Sequence, residues 1–190
     1  FICEGDHVTR DGTRVDLSDH EILMFCNLLT AAGSETTGKL IGNSLAALAE
    51  HPTARDRIFG DRSLIAPAVD EALRYDTPSH YVARVTTRPV ELHGVTMPEG
   101  SWVYLLLGAA NRDEREFPDP DRFVADRQPS RSVFFGSGLH VCLGQYLARL
   151  EARVLLEEFA DRFPHYRLIE GSQKRVLTAT VRSSADLQLA

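Results

Sequence analysis

Apolar and polar positions divide the chain into stretches of different period. From residue 18 to residue 50, Ile22, Phe25, Cys26, Leu28, Leu29, Leu40, Leu45 and Leu48 supply the apolar positions of a helix. Ser18 with Glu21 three residues later is a capping-box start, and His51-Pro52 is a stop. Such a helix extends about 50 Å at 1.5 Å per residue. That is too long for the surface helix of a small domain and predicts a central element of a larger molecule. A short helix over 53–59 and a better one over 63–75 follow. The spacing then shortens to alternation, so residues 82–86, 90–92, 95–97 and 102–106 read as strands, with turns at Gly94 and Pro98-Glu99-Gly100. Residues 113–129 are polar and proline-rich, hence loop. Helical spacing returns over 143–163 and ends before Pro164, leaving 165–169 and 187–189 to pair as terminal strands. The expected class is mainly α with small β-sheets (α+β).

Composition narrows the function classes. Of 190 residues, 43% are hydrophobic and 25% charged, ordinary values for a globular chain. A net charge of −6 argues against nucleic acid as the main partner. No apolar run approaches the ~20 residues of a membrane span, and no signal peptide is visible. Cys3, Cys26 and Cys142 are odd in number and lack CxxC spacing, which suits a reducing compartment and supports neither a zinc site nor a disulfide framework. His7, His20, His51, His93 and His165 are scattered without ligand spacing. The chain opens at Phe1 in a segment that reads as the tail of an earlier element, so a preceding portion is expected.

The densest chemistry lies at residues 135–144, Phe-Gly-Ser-Gly-Leu-His-Val-Cys-Leu-Gly. Gly136, Gly138 and Gly144 allow turns and close approaches that side chains obstruct. Cys142 immediately precedes a predicted helix, whose free N–H groups and dipole favour a thiolate. The loop suits presentation of one anionic sulfur to something large and flat. A glycine-rich turn with Cys142 as a small buried hydrophobe is the blander alternative.

Phe135, Gly138, Cys142 and Gly144 match the pattern Phe-x-x-Gly-x-x-x-Cys-x-Gly, and by it the chain resembles the C-terminal half of the cytochrome P-450 haem-thiolate monooxygenases. The resemblance implies the C-terminal haem-binding portion of a single P-450 domain over residues 1–190, without its N-terminal portion. It implies haem b (iron protoporphyrin IX) with Cys142 as axial iron ligand, Phe135 and Gly136 beside it, and His140 and Arg84 on the propionates. In this family the thiolate ligand donates electron density that favours O–O cleavage.

Further motifs acquire meaning through the same resemblance. Ala32-Gly33-Ser34-Glu35-Thr36-Thr37 interrupts the long helix with low-propensity residues. It implies Gly33 as an opening for dioxygen, and Glu35 with Thr36 as the catalytic proton relay. Glu71 and Arg74, three apart, would alone contribute only ~0.2–0.5 kcal/mol. The resemblance instead implies a buried structural network with Arg122 of Pro120-Asp121-Arg122-Phe123. Segments 28–32, 79–82 and 177–180 correspond to pocket linings and imply an apolar small-molecule substrate. Arg149 and Arg153, four apart, correspond to the face that docks an acidic electron donor, a solvated helix face being the alternative.

The implied activity is insertion of one oxygen atom from dioxygen into an apolar substrate, by hydroxylation or epoxidation. Electrons would come from a ferredoxin- or flavodoxin-type donor, as in soluble, cytoplasmic bacterial members. Two other readings stand beside it: a haem-binding but catalytically incomplete remnant, and a thiol enzyme using Cys142, which would need His140 as base.

Overall fold

The computed structural model describes residues 8–9, 11–13, 15–127, 131–175, 178 and 180–190. They form α1 (Asp19–Glu50), α2 (Pro52–Gly60), α3 (Ile65–Tyr75), β1 (Val82–Val85), β2 (Val90–Leu92), β3 (Val95–Met97), β4 (Trp102–Leu105), α4 (Leu107–Ala110), α5 (Gln145–Arg162), β5 (Lys174–Arg175) and β6 (Ser184–Asp186). Single turns of 3-10 helix occur at Arg62–Leu64 and Gly138–His140. Two compact units divide at residue 35, the first 1–35 and the second 36–190.

In the first unit, α1 begins at the expected box. The Ser18 backbone N–H donates to Glu21 Oε2 (2.8 Å) and the Glu21 N–H returns to Ser18 Oγ (3.3 Å). Two hydroxyls further along donate to carbonyls four residues back, Thr30 to Cys26 (2.9 Å) and Ser34 to Thr30 (3.0 Å). These bonds satisfy polar side chains on the helix itself.

The second unit holds the core. Leu40 and Leu48 of α1 join Ile58 of α2, Ile65, Val69 and Leu73 of α3, Phe123 and Phe134 of the loops, and Ala152 and Leu156 of α5. Buried Tyr166 donates its hydroxyl to the Leu45 carbonyl (2.9 Å), and burial pushes its phenol well above the usual tyrosine range. Arg55 reaches the Tyr166 carbonyl and stacks over its ring at 5.2 Å. Helix α1 stops at Glu50, where Pro52 opens α2.

Among the described residues the sheets are three two-stranded antiparallel pairs, β1–β4, β2–β3 and β5–β6. Register in β1–β4 sets Arg84 opposite Val103. The two-residue turn between β2 and β3 holds His93 (φ 51) and Gly94 (φ 77), both left-handed, as a tight hairpin requires. The predicted terminal pairing is present as an antiparallel bridge, Leu168 with Leu189, flanked by backbone bonds between Arg167 and Ala190 and from the Ile169 N–H to the Gln188 carbonyl. The β5–β6 pair was not predicted, because lysine, arginine, serine and aspartate give no apolar alternation.

Candidate functional site

Helix α3 is amphipathic, yet two charged side chains are buried as deeply as its apolar ones. Arg74 is 0% and Glu71 2% exposed. Arg74 Nε donates to Glu71 Oε2 (2.8 Å) and Nη2 to Oε1 (2.9 Å), a bidentate pair. Arg74 also donates to the carbonyls of Asn111 (3.0 Å), Pro120 (2.9 Å) and Arg122 (3.2 Å). Glu71 Oε1 accepts further from the Val124 N–H (2.8 Å) and Arg127 Nε (3.2 Å). Each charge is thereby neutralised and hydrogen-bonded, which makes its burial tolerable.

The expected place of Arg122 in this network needs correction. The Arg122 guanidinium is 75% exposed and faces Asp119 at 3.4 Å; only its backbone carbonyl enters the network. The second cation on Glu71 is Arg127, 11% exposed. The turn around Asp119 (φ 49) directs the Arg122 side chain outward, while Arg127 reaches back over the carbonyls of Pro118, Asp119 and Arg122. Spacing within one short motif could not reveal this, since Arg127 lies outside the motif.

Asn111 was also missed. It is fully buried, donates to Thr77 Oγ1 (3.0 Å) and accepts the Val133 N–H on Oδ1 (2.8 Å). It thus joins α3 to the chain entering the cysteine loop. In the sequence, Ala110-Asn111-Arg112-Asp113 stands out only by its resemblance to soluble bacterial members, which says nothing of this bonding role.

The loop itself turns twice through glycines in the left-handed region, Gly136 (φ 72) and Gly138 (φ 70), where other residues are strained. The Cys142 N–H closes it on the Phe135 carbonyl (2.9 Å). Cys142 is half-buried and lies just ahead of α5, with Gly144 at the helix cap. His140 is exposed on its 3-10 turn, and neighbouring Leu139 and Leu143 are 90% and 76% exposed. Among the described residues, no cluster of acidic, histidine or cysteine side chains could hold a metal ion.

Arg84 is exposed on β1 and donates to its neighbouring Ala83 carbonyl (2.8 Å). Gly33 and Glu35 are exposed on α1 and Thr36 is half-buried. Of the other expected lining residues, His80 is partly buried, and burial lowers its imidazole pKa from the usual value, with the Arg182 charge adding to the effect. Residues 177 and 179 lie outside the described residues. Arg149 is committed to Asp70 (2.7 Å) and Arg153 faces Glu157 at 3.6 Å, so the first is not an unpartnered docking charge.

Comparison with known proteins gives the framework for this arrangement. A family model, Cytochrome P450, matches residues 2–181. The vitamin D(3) 25-hydroxylase of Pseudonocardia autotrophica is 48% identical over 87% of this chain and 41% of its own length. The biotin biosynthesis cytochrome P450 of Bacillus subtilis is 44% identical over 81% of this chain and 39% of its own length. The solved structure of cytochrome P450 CYP109Q5 from Chondromyces apiculatus superposes with a TM-score of 0.89 at 40% identity, covering 92% of this chain and 45% of that one. The chain belongs to the cytochrome P450 family, and its helices with small antiparallel sheets are part of that fold. It spans less than half the length of these relatives. No helix among the described residues is long and apolar enough to cross a membrane.

Proposed function

We propose that this chain is the C-terminal, haem-binding portion of a single-domain P450 monooxygenase. The observation that carries the reading is the closed 135–142 loop, which holds a lone half-buried sulfur ahead of α5 and beside exposed apolar side chains. The residues present fit iron protoporphyrin IX. Cys142 offers a sulfur ligand, His140 and Arg84 are exposed donors for two propionates, and Leu139 offers an apolar surface that the protein leaves uncovered. Bound haem b would supply one-electron chemistry and dioxygen activation.

The chain's own residues would then divide the work. Cys142 Sγ would hold the iron as its protein ligand, and the glycine turns keep its loop clear of side chains. Glu35 with its carboxyl and Thr36 with its Oγ1 would form the proton relay, general-acid roles for an acid and an alcohol. Glu71, Arg74 and Arg127 hold the scaffold and touch no reactant. The reaction we propose is insertion of one oxygen atom into an apolar organic substrate, by hydroxylation or epoxidation. Electrons would come from a ferredoxin- or flavodoxin-type donor in the cytoplasm. An incomplete haem-binding portion remains the second reading, because relatives carry more than twice this length.

The test is the carbon monoxide difference spectrum of the reduced, haem-reconstituted protein beside Cys142→Ser. A strongly red-shifted Soret band in the parent, absent from the variant, is expected. Haem bound without that band supports the incomplete reading, and a band unchanged in Cys142→Ser overturns the ligand assignment.

A further inference from the structure

We propose that Arg149 is a positioning residue for the Cys142 loop, clamping Phe135 against α3. Arg149 lies on the second turn of α5. Its Nε donates to Asp70 Oδ1 at 2.7 Å, and Nη1 approaches the Gln145 side-chain oxygen at 3.2 Å. The face of the same guanidinium lies over the Phe135 ring, 4.6 Å from its centroid, and 5.7 Å from that of Phe134. The two rings meet edge to face at 5.2 Å. Phe135 in turn supplies the carbonyl that receives the Cys142 N–H. Asp70 is the neighbour of Glu71, so α3 grips the segment around Val124 and Arg127 through Glu71 and the cysteine loop, by way of Arg149, through Asp70.

As an ion pair alone this would count for little, since both partners are about one-third exposed, 32% and 30%. The stacking is what gives it consequence. A planar guanidinium can bond a carboxylate at its edge while its face covers a ring, and an ammonium cannot do both. The pairing therefore restrains the ring plane of Phe135 and, through one peptide, the position of the Cys142 backbone.

The role rests on the haem-thiolate reading, but the clamp can be tested with or without haem. In the haem-free protein, peptide-resolved alkylation of Cys142 reports loop opening. Arg149→Gln and Asp70→Asn should each speed it about two- to fivefold, the scale of an exposed cation–π contact, with Arg149→Lys in between. Alkylation of Cys26 should stay at the parental rate. Unchanged rates at Cys142, or equal acceleration at Cys26, overturn the clamp. Asp70→Asn preserves side-chain size and guards against a variant that merely fails to fold. In the reconstituted protein, Arg149→Gln should hasten loss of the red-shifted band in mild denaturant and lower the iron midpoint potential. Parental values for both overturn the positioning role even if alkylation is faster. Haem bound by the parent without that band would instead support the incomplete haem-binding reading, leaving alkylation to decide the clamp.

Discussion

Two regions of the second unit handle polar and apolar exposure in opposite ways. Around α3, two full charges are withdrawn from water and every bonding direction is met by the chain's own groups. Around the cysteine loop, apolar side chains stand in solvent: Leu139, Leu143, Tyr146 and Leu147 are between 59% and 90% exposed. Helix α5 belongs to both. Ala152, Leu156 and Ala160 pack into the core, while Leu143, Leu147, Leu150 and Val154 recur on another, exposed stripe. A region that satisfies itself is structural, and one that leaves such a face uncovered is built around something further.

The sharpest break of this contrast is Arg74→Ala. It strands the Glu71 carboxylate in the core and should cost ~3–5 kcal/mol in denaturant unfolding. A loss below ~1 kcal/mol would mean that the network is not self-contained. The next test separates the two arginines. Arg127→Ala should cost about 1–3 kcal/mol, since a buried acceptor on Glu71 loses a charged donor. Arg122→Ala, whose guanidinium is exposed, should stay within about 0.5 kcal/mol. The reverse order would restore Arg122 to the network.

On the loop side, Gly138→Ala forces a side chain into a left-handed position and should cost about 1–2 kcal/mol, with no neighbouring atom to clash. A neutral result would show that the loop is free to change conformation. The smallest effect is electrostatic. Burial disfavours the charged form of His80, so near its usual titration range the unfolded chain binds a proton that the folded one does not. Its contribution is complete above the unfolded-state pKa of ~6.5 and is lost as pH falls toward the folded one. Unfolding curves at several pH values should show stability declining below that point, and His80→Gln should flatten the decline.

Much of the architecture was legible because periodicity and punctuation agreed. Ser18, Glu21 and Pro52 bounded α1, and the β2 and β3 limits match the alternation. The cysteine loop was legible because its glycines serve turns that only glycine enters readily. What escaped depended on partners distant in sequence. Arg127 and Asn111 bond residues 56 and 34 positions away, and nothing local marks them. Arg122 carried the local mark, but its side chain followed the turn at Asp119 outward. Arg149 could be read as a solvated helix face until Asp70 was placed beside it.

The bonds radiating from α3 also have a consequence in time. They tie together segments separated by 37 to 56 residues, and all must part before the helix backbone can open. Helix α3 should therefore exchange its amide hydrogens only in rare, near-global openings, whereas the loop around Leu139 exchanges through frequent local ones. A change that loosens the loop alone would leave the slowest hydrogens untouched, while any change that quickens them must act on the whole cooperative unit.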